Sequence, residues 1–153
     1  MPGSPYLYYG EEIGMKGMKP DEHIREPFIW GEGKSDPGQA SWIEPKFSTS
    51  QSVDPLSEQL NDPSSMYNHY KSLIELRNGS KVLSTGGIAN TNINDNELIT
   101  FYRYADGDTL TIIHNLSGAD KTLEADGDLV YGHQSKAQED QYVVGAYGSL
   151  VLR

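Results

Sequence analysis

The chain has 153 residues, enough for one ordinary domain that buries about 68% of its extended-chain surface and too few for a complete barrel of alternating strands and helices, which takes roughly 250. Its 22 acidic and 12 basic side chains leave a net charge of −10, which argues against nucleic acid and against an anionic membrane surface as partners. With no cysteine it offers neither a disulfide framework nor a thiolate metal site, no apolar run approaches the roughly 20 residues of a membrane-spanning helix, and no signal peptide reads at the N-terminus.

In chain order, Pro5-Tyr6-Leu7-Tyr8-Tyr9 is an aromatic and apolar run stopped at Gly10, the pattern of a buried parallel strand at its C-terminal end. Lacking parallel neighbours, such a strand would be orphaned: it would stay irregular, pair with an edge of a later sheet, or pair with a second copy of the chain. Glu11, Glu12, Asp21, Glu22, Arg25 and Glu26 follow in a Gly-rich loop that ends at Pro27-Phe28-Ile29-Trp30. Carboxylates, an arginine and aromatic walls are the residue types that bind a sugar, through hydrogen bonds to its hydroxyls and flat apolar contact with its C–H faces. From Gly31 to Asn61 the composition is rich in Gly, Pro, Ser and Asp without a sustained period, so this stretch reads as a long loop, irregular or partly disordered. Its isolated aromatics, with Phe28 and Trp30, predict self-association through this N-terminal arm.

A helix is predicted over 62–79, with Asp62 as N-cap, Pro63 at the first helical position, a face of Met66, Tyr70, Leu73 and Ile74, and Gly79 as the stop. Beyond it come short strands at Gly87–Asn90, Glu97–Tyr104, Thr109–His114, Lys121–Glu124, Asp128–Tyr131, Gln141–Val144 and Ser149–Leu152, with an Asp106-Gly107 turn closing a hairpin. The predicted fold is therefore mainly β: an antiparallel two-sheet β-sandwich over 80–153, preceded by one α-helix and a long, largely irregular arm over 1–61.

The segment Gly3-Ser-Pro-Tyr-Leu-Tyr-Tyr-Gly-Glu-Glu-Ile-Gly-Met15, with Pro20-Asp-Glu22 and Arg25-Glu-Pro-Phe-Ile-Trp30, resembles the last barrel strand and following loop of the α-amylase/α-glucosidase family, glycoside hydrolase family 13. Asn68-His-Tyr-Lys-Ser-Leu-Ile-Glu-Leu-Arg77 resembles the family's final helix, and the rest is similar to its C-terminal antiparallel β domain. The resemblance implies an α-linked oligosaccharide as the substrate of the parent enzyme and no cofactor. It also implies that the three catalytic carboxylates, found at the ends of earlier strands, lie outside this chain. One departure stands near the C-terminus: Ala146-Tyr147 occupies the place where the family usually has a Pro-aromatic pair before its final strand.

Among candidate site residues Arg25 ranks first, because a guanidinium on an active-site loop can orient a carboxylate or donate to sugar hydroxyls; otherwise it is a solvated arginine paired with Glu22 or Glu26. Asp21, Glu11 and Trp30 complete the substrate-binding set that the resemblance implies. Glu11 beside Glu12 makes a poor catalytic pair, since neighbours on a strand end point to opposite sides and retaining glycosidases need carboxyls about 5–5.5 Å apart across the sugar. The Asp-Gly-Asp triplets at 106–108 and 126–128 suit hairpin turns better than calcium, the histidines at 23, 69, 114 and 133 have no metal-ligand spacing, and no metal site is predicted. Asn78-Gly-Ser80 and Asn115-Leu-Ser117 match the short glycosylation triplet. The sequence thus points to part of an α-glucan-acting glycoside hydrolase, inactive alone. The alternative is a non-catalytic carbohydrate-binding or structural β module, with Trp30, Trp42 or Tyr147 stacking on glucan.

Overall fold

The computed structural model describes residues 3–32, 36–49 and 51–153; positions 33–35 and 50 of the predicted loop lie outside them. The chain divides into two compact units, Ser4–Leu76 and Arg77–Arg153, the latter joined by Gly3.

The first unit is built mostly from turns. Two single-turn 3-10 segments, Glu11–Ile13 and Asp21–Ile24, precede a short helix α1 at Leu56–Gln59 and the longer α2 at Met66–Asn78. Residues 5–8 take no regular secondary structure and belong to no ladder among the described residues, and Tyr6 is 94% exposed. A small core of Ile13, Ile29 and Val53, with Met15, Phe28, Leu56 and Tyr67 packed against it, holds the turns together. Polar hubs do the rest. Gln59 is buried, donates to the carbonyls of Ile13 (2.9 Å) and Asp54 (2.8 Å), and accepts from the amide of Tyr67 (3.1 Å). The distant Ile13 turn and both flanks of α1 therefore meet at one amide side chain, which no hydrophobic pattern announces.

Helix α2 starts three residues later than its sequence suggests. Asp62 turns its carboxylate onto the amide and hydroxyl of Ser64 (2.8 and 2.7 Å), and Ser65 Oγ accepts the amide of Asn68 (3.2 Å) in the capping position. The Ser64 contacts hold the Asp62 carboxyl below its ordinary pKa. Contrary to expectation, Met66, Leu73 and Ile74 stay about half exposed, while Tyr67 joins the core and Asn68 donates to the carbonyls of Gln59 and Asp62.

The second unit opens with α3 at Lys81–Thr85, capped by Ser80 Oγ accepting from Leu83 N (3.2 Å). The predicted single helix is thus joined by two shorter ones. Six strands follow: β1 Gly87–Asn90, β2 Leu98–Ala105, β3 Asp108–Asn115, β4 Lys121–Leu123, β5 Leu129–Gln138 and β6 Gln141–Leu152. The unit is mainly β and antiparallel, as predicted. Its strands form one hydrogen-bonded path, β1-β2-β3-β6-β4 with β5 also on β6, in place of two separate sheets. The cause is β6, which merges the two short strands predicted at 141–144 and 149–152. Its last third pairs with β3, its first third with β4, and its other edge with β5 along most of its length. The resulting sheet is curled. The β2–β3 hairpin turns on Asp106 and Gly107, both at positive φ (52° and 84°) and flanked by the Ala105↔Asp108 pair, the geometry that an Asp-Gly turn favours.

Strand β3 is buried on both faces. Ile113 joins Val144, Leu150 and Leu152 in one core, with Leu98, Leu123 and Tyr142 against it, while Leu110 and Ile112 face the other way and are equally buried. Helix α3 packs on β2 and β3. Arg103 of β2 is 1% exposed, donating from Nε to Gly87 O (3.0 Å) and from Nη2 to Gly86 O (2.7 Å). Burial lowers its pKa from the ordinary arginine value, with the charge of Arg77 adding to the effect. Among the described residues no helix is long and apolar enough to cross a membrane.

Candidate functional site

The loop that carries the candidate residues is shaped by glycines first. Gly10 (φ 89°) and Gly14 (φ 78°) bracket the Glu11–Ile13 turn in the left-handed region, where a side chain is strained, and a β-carbon at Gly10 would meet Met15 Sδ at 2.5 Å. Glu12 folds back so that its Oε2 accepts the Gly10 amide at 2.7 Å, which occupies one member of the adjacent carboxylate pair.

The anchor of the loop is Glu26, 1% exposed. Its Oε1 accepts the amides of Lys46 (2.8 Å) and Phe47 (3.1 Å), and its Oε2 accepts those of Phe47 (3.1 Å) and Ser48 (2.8 Å). A buried carboxylate is costly unless it is hydrogen-bonded, and three consecutive amides satisfy it. The joint is doubled by Ser48, itself fully buried: its hydroxyl accepts from Lys16 N (2.8 Å) and donates to Lys16 O (2.7 Å). Tyr9 OH donates to Glu26 O at 3.2 Å, and burial, then neighbouring Tyr8, pushes the Tyr9 phenol above its ordinary pKa. His23 Nδ1, without a hydrogen-bond partner among the described residues, lies 3.8 Å from Glu26 Oε1, its ring edge-on to Phe47.

The sequence-predicted residues sit on this frame. Arg25 Nη2 donates to Asp21 Oδ2 at 3.3 Å, both side chains exposed; its partner is Asp21, where the sequence suggested Glu22 or Glu26. Asp21 also pairs with Lys19. Glu11 is exposed and lines a depression of about 320 Å³ with Tyr8, Tyr9, Lys16, Ile24 and Glu26. Trp30 is 44% exposed, its ring 4.6 Å from that of Phe28, and its carbonyl accepts from Ser57 N (2.9 Å). Arg25 and Asp21 are thus brought together. Among the described residues no hydrogen bond or ion pair joins Glu11 or Trp30 to them.

Glu26, Ser48 and Gln59 were absent from the sequence-derived set, because acidic and polar residues are mostly exposed and nothing in their spelling marks these as exceptions. Their only sequence signal is position within a stretch too poor in apolar residues to build its own core. No group of three His, Asp or Glu side chains that could hold a metal ion occurs among the described residues. The Asp-Gly-Asp triplet at 106–108 makes the hairpin turn, and at 126–128 Asp128 exchanges backbone hydrogen bonds with Arg153. Asn115 of the glycosylation triplet is 2% exposed, its Nδ2 directed to the carbonyls of Ala119, Val144 and Gly145, so its amide nitrogen serves the fold.

Residues 1–86 match the family model for the alpha amylase catalytic domain. Alpha-amylase 3 of Dictyoglomus thermophilum is 33% identical across all of this chain, which spans 32% of that protein. The 4-alpha-glucanotransferase of Thermotoga maritima is 29% identical over 81% of the chain, covering 29% of its own length. The crystal structure of the alpha-amylase from H. orenii superposes on 99% of the chain with a TM-score of 0.83 and 33% identity, and the match takes up 32% of that structure. The chain therefore spans about a third of the length of the relatives it matches. A match over more than half of the sequence, continued by similar relatives through its C-terminal unit, places this chain in the alpha-amylase family, glycoside hydrolase family 13.

Proposed function

We propose that the chain supplies a substrate-side loop and the supporting β unit of an enzyme acting on α-linked glucose oligosaccharides, with Arg25, Asp21, Glu11 and Trp30 on the sugar side and the catalytic carboxylates elsewhere in the protein. The observation that carries this reading is the Glu26 joint. Three amides of 46–48 on one carboxylate fix the segment Arg25–Trp30 from within, so Arg25 and Trp30 are held outward on a braced loop, the arrangement a binding site needs. A guanidinium already beside a carboxylate keeps donors free for hydroxyl groups, and an exposed indole offers a face for a pyranose ring. The chain alone is expected to be inactive, a reading supported by Glu26 being taken up by backbone donors and Glu12 Oε2 by the Gly10 amide, since glycoside hydrolysis requires two carboxyls opposed across the sugar.

Incubated with maltose, isomaltose or a nitrophenyl α-glucoside, the purified chain is expected to release neither glucose nor nitrophenol. Turnover that co-purifies with the chain and disappears in Arg25→Ala would overturn the assignment of the catalytic groups to other segments. The second reading, a non-catalytic carbohydrate-binding or structural β module, is favoured in its binding form by one feature of the second unit, the exposed Tyr147.

A further inference from the structure

Strand β6 contains a tyrosine in a backbone conformation that tyrosine avoids. Tyr147 has φ 55° and is 70% exposed. A bulky residue in the left-handed region is an outlier, and glycine would sit there without strain. Across the ladder Gln134 of β5 has φ 49° and is also exposed. The two lie where the β5–β6 register shifts, between the His133↔Ser149 and Ser135↔Val144 pairs. Bulges of this kind re-aim side chains.

The surroundings hold both residues in place. The Tyr147 amide donates to Ser117 O at 3.1 Å, and Ser117 is fixed in turn by Asn115 Oδ1, which accepts its amide (2.9 Å) and hydroxyl (2.8 Å). Gly145 and Gly148 flank the tyrosine, and a β-carbon at Gly145 would come 2.3 Å from Gln134 O, so the backbones meet too closely for side chains there. The tyrosine ring lies over Gly118, where a β-carbon would come 3.4 Å from its hydroxyl, and the residues just before it in sequence, Gly145 and Ala146, line a shallow depression of about 310 Å³ together with Asp120, Gln134, Lys136 and Val143. Asp120 anchors it, its Oδ1 accepting Ala146 N at 3.1 Å.

We propose that this is a glucan-binding site on the β unit, separate from the Arg25 loop: a pyranose ring stacks on Tyr147 while Gln134, Lys136 and the second oxygen of Asp120 meet its hydroxyls. The ligand class rests on the reading of the protein as α-glucan-acting; the site itself rests on the strained, exposed tyrosine. An aromatic face supplies the apolar contact and the depression supplies donors and acceptors of both kinds, the combination a neutral polyhydroxylated ring requires. A strain that the fold does not need persists where it presents a side chain for use.

The test uses the chain as it stands, by affinity electrophoresis in amylopectin and by calorimetric titration with maltoheptaose. The wild type is expected to be retarded and to bind the oligosaccharide. Tyr147→Gly should melt at a higher temperature, because strain is relieved, yet lose at least about tenfold in affinity, whereas Tyr147→Phe, which keeps the ring, should stay within about threefold. Unretarded wild type, or retardation unchanged in Tyr147→Gly, overturns the site. Retardation abolished by Arg25→Ala with Trp30→Ala and untouched by Tyr147→Gly supports the loop reading and refutes this one. Loss in Tyr147→Gly with no change in the loop variants confirms the site independently of the loop.

Discussion

Replacing Glu26 by alanine removes the acceptor for three consecutive amides, those of Lys46, Phe47 and Ser48, from a side chain with no exposure of its own. A buried donor left without a partner costs about 1–3 kcal/mol; the Ser48 bond is buried and those of Lys46 and Phe47 are part-buried, so the three together fall well short of three full penalties. Some relaxation of the loop limits the sum, and about 4 kcal/mol is the expected loss, at the upper end for a single substitution. Both tryptophans, Trp30 and Trp42, belong to Ser4–Leu76. Intrinsic fluorescence during urea unfolding therefore reports on the unit that contains the joint. With a slope of about 1.5 kcal/mol per molar urea, 4 kcal/mol moves the midpoint down by about 2.7 M. Glu26→Gln isolates the cause: it keeps the volume and one oxygen but turns an NH₂ group toward amide donors, so about 2–3 kcal/mol should still be lost. A midpoint that falls by less than about 0.5 M in Glu26→Ala would show that residues 46–48 hold their place without the carboxylate, and the account of the braced Arg25 loop would fail with it.

The β unit gives two further predictions. His114 stands below its ordinary pKa, chiefly because burial disfavours the imidazolium, and its Nδ1 lies 2.8 Å from Ser149 Oγ. The unfolded chain thus takes up a proton at higher pH than the folded one, so stability is complete above about pH 6.5 and is lost as the pH falls through that value toward the lowered one. His114→Gln should flatten the melting temperature between about pH 7 and pH 5, and an unchanged slope would contradict the stated cause. Asn115 directs its amide nitrogen to three carbonyls. Asn115→Asp sets a carboxylate oxygen against them, with an expected loss of about 3 kcal/mol or more, read as a fall of at least about 12 °C in the melting of the β unit; a fall under about 4 °C would refute it.

Where the chain repeats a two-residue alternation or spells a turn, the sequence was a sufficient guide. Strand β1 falls on Gly87–Asn90 as predicted, and the Asp106-Gly107 hairpin needed only the turn preference of Asp-Gly. Errors arise where one signal had two valid uses. Asp62 is a good N-cap by type, but its carboxylate finds Ser64 first, and the cap passes to Ser65. The strands predicted at 141–144 and 149–152 are one: Gly145 and Gly148 between them serve the close approach of β5 and leave β6 continuous. The first unit was the least legible, since its order depends on Glu26, Ser48 and Gln59, side chains whose type argues for solvent. Of the candidate site, Arg25 and its loop could be named from the sequence, but the partner of Arg25 and the joint beneath it could not.

Residues that break the usual rules fall into two kinds here, and the difference bears on function. Glu26 and Asn115 are polar and buried, but hydrogen bonds with the surrounding backbone, accepted by Glu26 and donated by Asn115 Nδ2, offset the cost of burial, so the fold itself explains them. Arg103 stands between the kinds: Nε and Nη2 are bonded to Gly87 and Gly86 while Nη1 is buried without a partner among the described residues. Tyr147 and Gln134 are of the other kind. Their backbones are strained, their side chains are exposed, and glycine at either position would give a more stable chain. Local rules are expected to fail uncompensated mainly at functional sites. By that criterion the Glu26 joint is scaffolding, and the bulge between β5 and β6 is where the second unit gives up stability to present an aromatic face.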